Sequence, residues 1–226
     1  MMIKGCDISF WQGEINFRNL EKENKFVGIR VGQGAWIDSQ VRKYAAKVSI
    51  PHLYYWFYEY RSGYQNNPDV QFKLMNDLLG EIGEETAIVC LDYERPNTNW
   101  EPLPSRENSL NIIEKFGNKF YKNKKLIYGN LDLLKNTLRN DIPDWVKQNF
   151  DFWLAYYPST STNYEPKLTD LPLTVWKPTI WQYGYKTAKD IASGSSVLDA
   201  DVFPGDFDTF FSIKKWYQLY LPFIKR

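Results

Sequence analysis

What is scarce in this chain limits its chemistry first. Only two cysteines, Cys6 and Cys90, occur among its 226 residues. Cys6 directly precedes Asp7, and Cys90 stands two residues before Asp92. Strand alternation then sends Cys6 outward and Cys90 inward, so a bridge would need opposed side chains to meet. Both read as small buried hydrophobes, consistent with folding in a reducing compartment. No uninterrupted apolar stretch reaches the roughly 20 residues of a membrane-spanning helix. A net charge of +1 offers no electrostatic case for nucleic acid or an anionic membrane as partner. The segment Met1-Met2-Ile3-Lys4-Gly5 runs straight into a strand pattern, without the charged and apolar regions of a secretory leader. Repeats and low-complexity tracts are absent as well. One domain is expected over residues 1–206, with 207–226 forming a closing helix or the start of a linker.

What is abundant is aromatic. Phe, Trp and Tyr make up 17% of the chain, with nine Trp and sixteen Tyr. Most should fill the interior, leaving a minority near strand ends to stack on a ligand. Short apolar runs predict strands at Ile3–Ser9, Phe26–Gln33, Ile50–Phe57, Thr86–Glu94, Lys125–Tyr128, Phe152–Tyr156, Thr179–Tyr183 and Val197–Phe203. Helical spacing appears at Val41–Val48 and at Pro68–Leu79, where Gly80 follows as a stop. Ser105 is placed to cap a third helix, with Asn108 at the capping-box position. Alternating strands and helices indicate a parallel sheet of βα units. The later connections are Pro-rich and poor in helical periodicity, so the fold expected is α/β, an irregular TIM-like barrel of eight strands.

The carboxylates carry the chemistry. Leu91-Asp92-Tyr93-Glu94 closes the apolar run Thr86-Ala87-Ile88-Val89-Cys90, and residues two apart share a strand face. A pair of acids there is poor for stability, because burial and mutual repulsion raise a pKa. Chemistry that holds one acid protonated beside an ionised one uses such a pair, and glycoside hydrolysis is the leading case. Barrel function sits at the carboxyl ends of the strands. Acids gathered from those ends are Asp7 on the first strand, Asp92 and Glu94 on the fourth, and Asp199 with Asp201 on the last. First and last strands adjoin in a closed barrel, so Asp7 and Asp199 should approach each other. A single acid is more often a solvated surface residue; the joint pattern is harder to dismiss. Trp11, Gln12, Tyr55, Tyr128, Asn130, Tyr156, Trp181 and Gln182 supply rings and amides suited to a saccharide, with Asp201 beside them. Each ring has core packing as its ordinary alternative. Asp199, Asp201, Asp206 and Asp208 invite a calcium-loop reading that Phe203 and Pro204 spoil. No metal and no cofactor is expected.

The run Gly5-Cys6-Asp7-Ile8-Ser9-Phe10-Trp11-Gln12-Gly13-Glu14-Ile15-Asn16-Phe17 resembles the opening signature of glycoside hydrolase family 25, the Chalaropsis-type lysozymes or N-acetylmuramidases. The resemblance extends in order through Leu91–Glu94, Tyr128-Gly129-Asn130, Trp153–Tyr157, Trp181-Gln182-Tyr183 and Leu198–Phe203, spanning about residues 3 to 205. It implies an irregular barrel of eight strands and about five helices. It also implies cleavage of the β-1,4 bond from N-acetylmuramic acid to N-acetylglucosamine in bacterial peptidoglycan. Glu94 would be the general acid, Asp92 the second carboxylate, and Asp7 with Asp199 would complete the acidic mouth. The chain departs from the family at Tyr55-Trp56-Phe57, where many relatives have Tyr-His-Phe, and at Asp201, where Asn is common; both changes are expected to alter subsite preference or pH optimum. The alternatives are a catalytically weak peptidoglycan-binding barrel, a chitinase-like glycosidase, and a structural barrel in which Asp92 and Glu94 pair with Arg30 or Arg95. A monomer resembling a phage or prophage endolysin is expected, made in the host cytoplasm and acting on the wall, or alternatively a secreted enzyme whose leader was removed.

Overall fold

A computed structural model describes residues 2–95, 99–162 and 164–212. Among the described residues nine strands form one sheet: β1 (Ile3–Ile8), β2 (Phe26–Gln33), β3 (Trp36–Ile37), β4 (His52–Phe57), β5 (Ile88–Asp92), β6 (Lys125–Asn130), β7 (Asp151–Ala155), β8 (Ile180–Thr187) and β9 (Val197–Phe203). Pairing of β1 with both β2 and β9 closes eight of them into a barrel, and β3 is a short flap on the upper end of β2. Five helices occupy the first five crossovers: α1 (Phe17–Glu23), α2 (Val41–Lys47), α3 (Pro68–Glu81), α4 (Arg106–Lys119) and α5 (Asp144–Asn149). No α-helix among the described residues links β7 to β8 or β8 to β9, as the Pro-rich connections suggested.

Local signals explain the helix starts. Asn16, Asn67 and Ser105 each accept a backbone N–H within the first turn of α1, α3 and α4, filling donors that the helix leaves orphaned. Pro68 follows its cap directly, where a missing N–H costs nothing. Sequence periodicity does not mark α1, α5 or β3: α1 buries only Leu20, α5 only Val146, and β3 has two residues, so none displays an apolar stripe.

The sheet is not parallel throughout. Strand β9 runs antiparallel to both β8 and β1, which corrects the all-parallel expectation. Only the loop 188–196 joins β8 to β9, and a parallel crossover needs about a dozen residues or more. Reversal of β9 places its amino-terminal half at the mouth, so Asp199 pairs in register with Asp7 across the closing seam. The expected approach of these two acids holds, by a different route.

Two apolar layers follow from strand alternation. The outer layer holds Cys6, Ile8, Val27, Ile29, Trp56, Val89 and Leu91 against the helices. The barrel interior holds Phe26, Leu53, Ile88, Cys90, Leu126, Trp153 and Phe203. The cysteines are free, buried and on opposite layers, as their positions beside inward acids implied. A short α6 (Phe207–Phe211) packs its rings on Phe26 and Phe203 at the floor of the barrel. The remainder of the predicted closing segment lies outside the described residues. No helix among the described residues is long and apolar enough to cross a membrane.

Candidate active site

Carboxyl ends of the parallel strands, with the amino-terminal half of β9, surround a cavity of about 280 Å³ lined by Asp7, Asp92, Glu94 and Asp199 together with Arg30. Its rings are Trp11, Tyr55, Phe57, Tyr128, Trp153, Tyr157 and Tyr185. Indole Trp153 forms the floor, edge-on to Tyr55 and Tyr128 with centroids 5.9 and 5.2 Å away. Space for it comes from Gly28 on β2: a Cβ there would sit 2.7 Å from the Trp153 ring and 3.0 Å from the Asp7 Cβ.

One amide organises the acids. Gln182 donates from Nε2 to Asp7 Oδ2 at 2.8 Å, while its Oε1 accepts from the hydroxyls of Tyr128, at 2.7 Å, and Tyr157. The Tyr55 hydroxyl donates to the other Asp7 oxygen at 3.2 Å. Burial raises the Asp7 pKa, and these donors work against that rise by stabilising its anion. Asp92 has less support. Its Oδ1 is buried with no hydrogen-bond partner, and burial first, then the charges of Glu94 and Asp7, push its pKa well above the carboxylate range. Glu94 is raised from 4.5 to about 7, by burial and then by Asp7. Asp199 is raised well above its ordinary value by burial, Asp7 and Glu94. Four acids crowded around one mouth favour the protonated form in those with fewest donors.

Arg30 lowers the pKa values of Asp7 and Asp92, but less than burial raises them. Arg30 bonds through Nε to the buried Asp38 Oδ2 at 3.1 Å, and Asp38 also accepts from the backbone of Phe10 and Gln40. Among the described residues neither Asp92 nor Glu94 forms an ion pair with Arg30 or Arg95, so the structural-barrel alternative loses its basis.

Several residues expected to touch substrate stand elsewhere. Asp201 is fully buried beneath the mouth, accepting from Trp153 Nε1 at 2.9 Å, because the inward face of β9 descends from Asp199. Trp181 is also fully buried, on the outer face of β8, and donates to the Tyr156 carbonyl; Tyr156 packs against the same outer layers. Gln12 turns back to accept from the Ser9 N–H at 2.7 Å, holding the 3-10 turn Phe10–Gln12 that leaves Trp11 64% exposed at the rim. Asn130 caps the following turn, accepting from the N–H groups of Asp132 and Leu133. Trp56, the departure on β4, faces the outer layer and donates to Gln71 at 3.1 Å, away from any subsite.

Sequence reasoning brought the run Trp153–Tyr157 to the mouth but singled out only Tyr156 of it, and it left Arg30, Asp38, Phe57 and Tyr185 out of the site. Tyr185 was hidden by register: three residues after Gln182, regular alternation would aim it the other way. A bulge between Gln182 and Gly184, with φ of 157° at Gly184, restores both to the mouth.

A closed βα barrel whose strand ends converge on crowded carboxylates and aromatic rings has the acids and the sugar-stacking surface of a glycoside hydrolase. The family model described as glycosyl hydrolases family 25 matches residues 6–190, and the chain belongs to that family. No curated protein matches the chain in sequence. Similar solved structures include the catalytic domain of an endolysin from a Listeria monocytogenes bacteriophage, with TM-score 0.69 and 21% identity over 93% of this chain and 97% of that one. A bacterial lysozyme from Streptomyces coelicolor gives TM-score 0.69 at 17% identity, covering 94% and 97% of the two chains. A muramidase from Acremonium alcalophilum gives 0.65 at 22%, covering 93% and 98%.

Proposed function

We propose that this glycoside hydrolase is a lysozyme, an N-acetylmuramidase that cuts the β-1,4 bond between N-acetylmuramic acid and N-acetylglucosamine. It acts as a monomer on the peptidoglycan of the bacterial wall. The observation that carries the reading is the Asp92–Glu94 pair at the carboxyl end of β5, Asp92 buried and Glu94 half-buried, with Glu94 holding its proton up to about pH 7. A proton donor at that pH is what departure of a sugar alkoxide requires.

In this mechanism Glu94 protonates the glycosidic oxygen while the carbonyl oxygen of the substrate's 2-acetamido group attacks the anomeric carbon. The C–O bond breaks as the new one forms, giving an oxazolinium ring. Asp92, which lines the cavity beside Glu94, accepts the acetamido N–H and aligns it. Glu94, now ionised, takes a proton from the water that opens the ring, so the enzyme is restored. Asp7 remains the anion of the set, fixed by Gln182 and Tyr55, and its charge keeps the Glu94 proton bound. Trp11 offers its exposed face to a neighbouring sugar ring.

The test is mass spectrometry of soluble products from purified peptidoglycan. Fragments ending in reducing N-acetylmuramic acid are expected. Reducing N-acetylglucosamine would move the scissile bond, and protein bound without products would point to a binding module.

A further inference from the structure

A second cleft adjoins the acidic mouth and has the opposite charge. Beyond Glu94 the chain crosses the rim, and Arg95 is its next residue, with adjacent Cα atoms about 3.8 Å apart. Arg95, Arg106 and Arg139 line a cavity of about 310 Å³, together with Asp132 and Asn136. Arg106 is occupied: its Nη2 donates to the Asp141 carbonyl and carboxylate, both at 2.8 Å. Asp132 is occupied as well, accepting from Asn136 Nδ2 at 2.7 Å. Among the described residues, no ion pair involves Arg95 or Arg139.

The backbone that presents Arg139 is unusual. A single π-helical turn, Leu133–Thr137, precedes it, and Arg139 and Asn140 follow in left-handed conformations with φ of 57° and 54°. Two successive non-glycine residues in that region carry a conformational cost, and such strain concentrates at functional sites. Leu138 N–H and Asn140 N–H donate to Leu133 and Leu134 carbonyls, both at 2.8 Å, and lock the wide turn in place.

Substrate chemistry supplies the ligand. The muramic acid unit of peptidoglycan carries a lactyl ether that bears a peptide with free carboxylates. The mouth that must hold this sugar is lined by Asp7, Asp92, Glu94 and Asp199, and Arg30, its one cation among the described residues, is paired with Asp38. Asp7, the anion of that set, repels an anionic side chain, and the neutral carboxyls beside it offer no positive charge to hold one. Two unpaired guanidinium groups on the adjoining rim offer carboxylates the bidentate, planar donors they match best. We propose that the Arg95–Arg139 cleft binds the carboxylates of the peptide stem of the substrate. The proposal rests on the lysozyme reading and assigns part of its specificity: glycan carrying acidic peptides is preferred over bare glycan.

Two measurements separate this site from the activity itself. The first is NMR titration of the whole protein with N-acetylmuramoyl-alanyl-glutamate and with its fully amidated counterpart. The charged compound should bind about tenfold more tightly, the scale of one or two exposed charge-assisted hydrogen bonds. That preference should vanish in an Arg95→Gln/Arg139→Asn double variant, Asn being chosen because it tolerates left-handed backbone. Arg139→Lys should recover part of it. Equal binding of the charged and amidated compounds, or equally strong displacement by glycerol 3-phosphate, would overturn the stem-peptide assignment. The second compares kcat/KM on intact peptidoglycan with that on glycan stripped of peptide. Wild type should favour the intact polymer several-fold, and the double variant should lose that ratio while cutting bare glycan at the wild-type rate. An unchanged ratio in the double variant counts against the site. Failure of the wild type to cut either polymer would instead remove the lysozyme reading, and the titration judges the cleft independently of it.

Discussion

Followed upward, the inward face of β5 reads Ile88, Cys90, Asp92; followed downward from the mouth, the inward face of β9 reads Asp199, Asp201, Phe203. The same change recurs on β2, from Phe26 through Gly28 to Arg30. One end of the barrel interior is therefore sealed by rings, and the other is a ring of acids. Alternation is identical at both ends, so it decides only which residues face inward. Depth decides what they do. At the floor, rings exclude water and contribute stability through burial. At the mouth, the same inward geometry forces carboxylates together and costs stability, which suits groups whose raised pKa values serve proton transfer.

Floor and mouth differ most at Glu94. Replacing it with Gln should reduce peptidoglycan hydrolysis by about 10²–10⁴-fold, the usual scale of a lost general acid. The same substitution should raise the thermal midpoint at pH 7, since a half-buried, partly ionised group is removed. The sign of the pH effect follows from its shift from 4.5 to about 7. Folding favours protonated Glu94, so its contribution is complete below pH 4.5 and is lost as pH rises through 7. Activity should decline over that upper limb, and Glu94→Gln should flatten this part of the stability profile. Near wild-type turnover in the variant would exclude Glu94 as the acid.

At the opposite pole the expected effects exchange places. Phe203→Ala, which removes a ring buried against Phe26, Phe207 and Phe210, should cost about 3–5 kcal/mol in denaturant unfolding. Activity per folded molecule should stay within about twofold; a selective loss of turnover would show that floor and mouth are coupled.

Gly28→Ala sits between the poles and sharpens the contrast. Its new methyl group would press on Trp153 and Asp7 at once. Stability should fall by about 1–3 kcal/mol, as overpacking does, with a change in tryptophan fluorescence and a lower kcat. Intact activity would mean that the floor yields without moving the acids. The smallest structural effect belongs to Trp11→Ala at the exposed rim. Stability should change by no more than about 0.5 kcal/mol while KM rises several-fold; an unchanged KM would remove Trp11 from the sugar-binding surface.

Charge and pattern in the sequence went far towards this arrangement. Eight apolar runs located the eight barrel strands, and the spacing of Asp92 and Glu94 put two acids at one strand end, because period-two alternation is a local property of an extended chain. Asp7 and Asp199 were paired on the single assumption of closure. Other features were not local. The direction of β9 depends on how short the loop 188–196 is relative to the width of a crossover. Tyr185 reaches the mouth only through a bulge, and Asp201 leaves it only because β9 descends into the barrel. Arg30 and Asp38 form their pair across a turn that no pattern of apolar residues announces.

By itself, then, the sequence determined which residues alternate inward and which acids lie near strand ends, since both follow from backbone geometry over a few residues. Only the tertiary structure decided which inward residues meet at one depth, which acids keep donors and which keep protons. Those outcomes depend on strand direction, register and burial, quantities that exist only once distant segments have packed together.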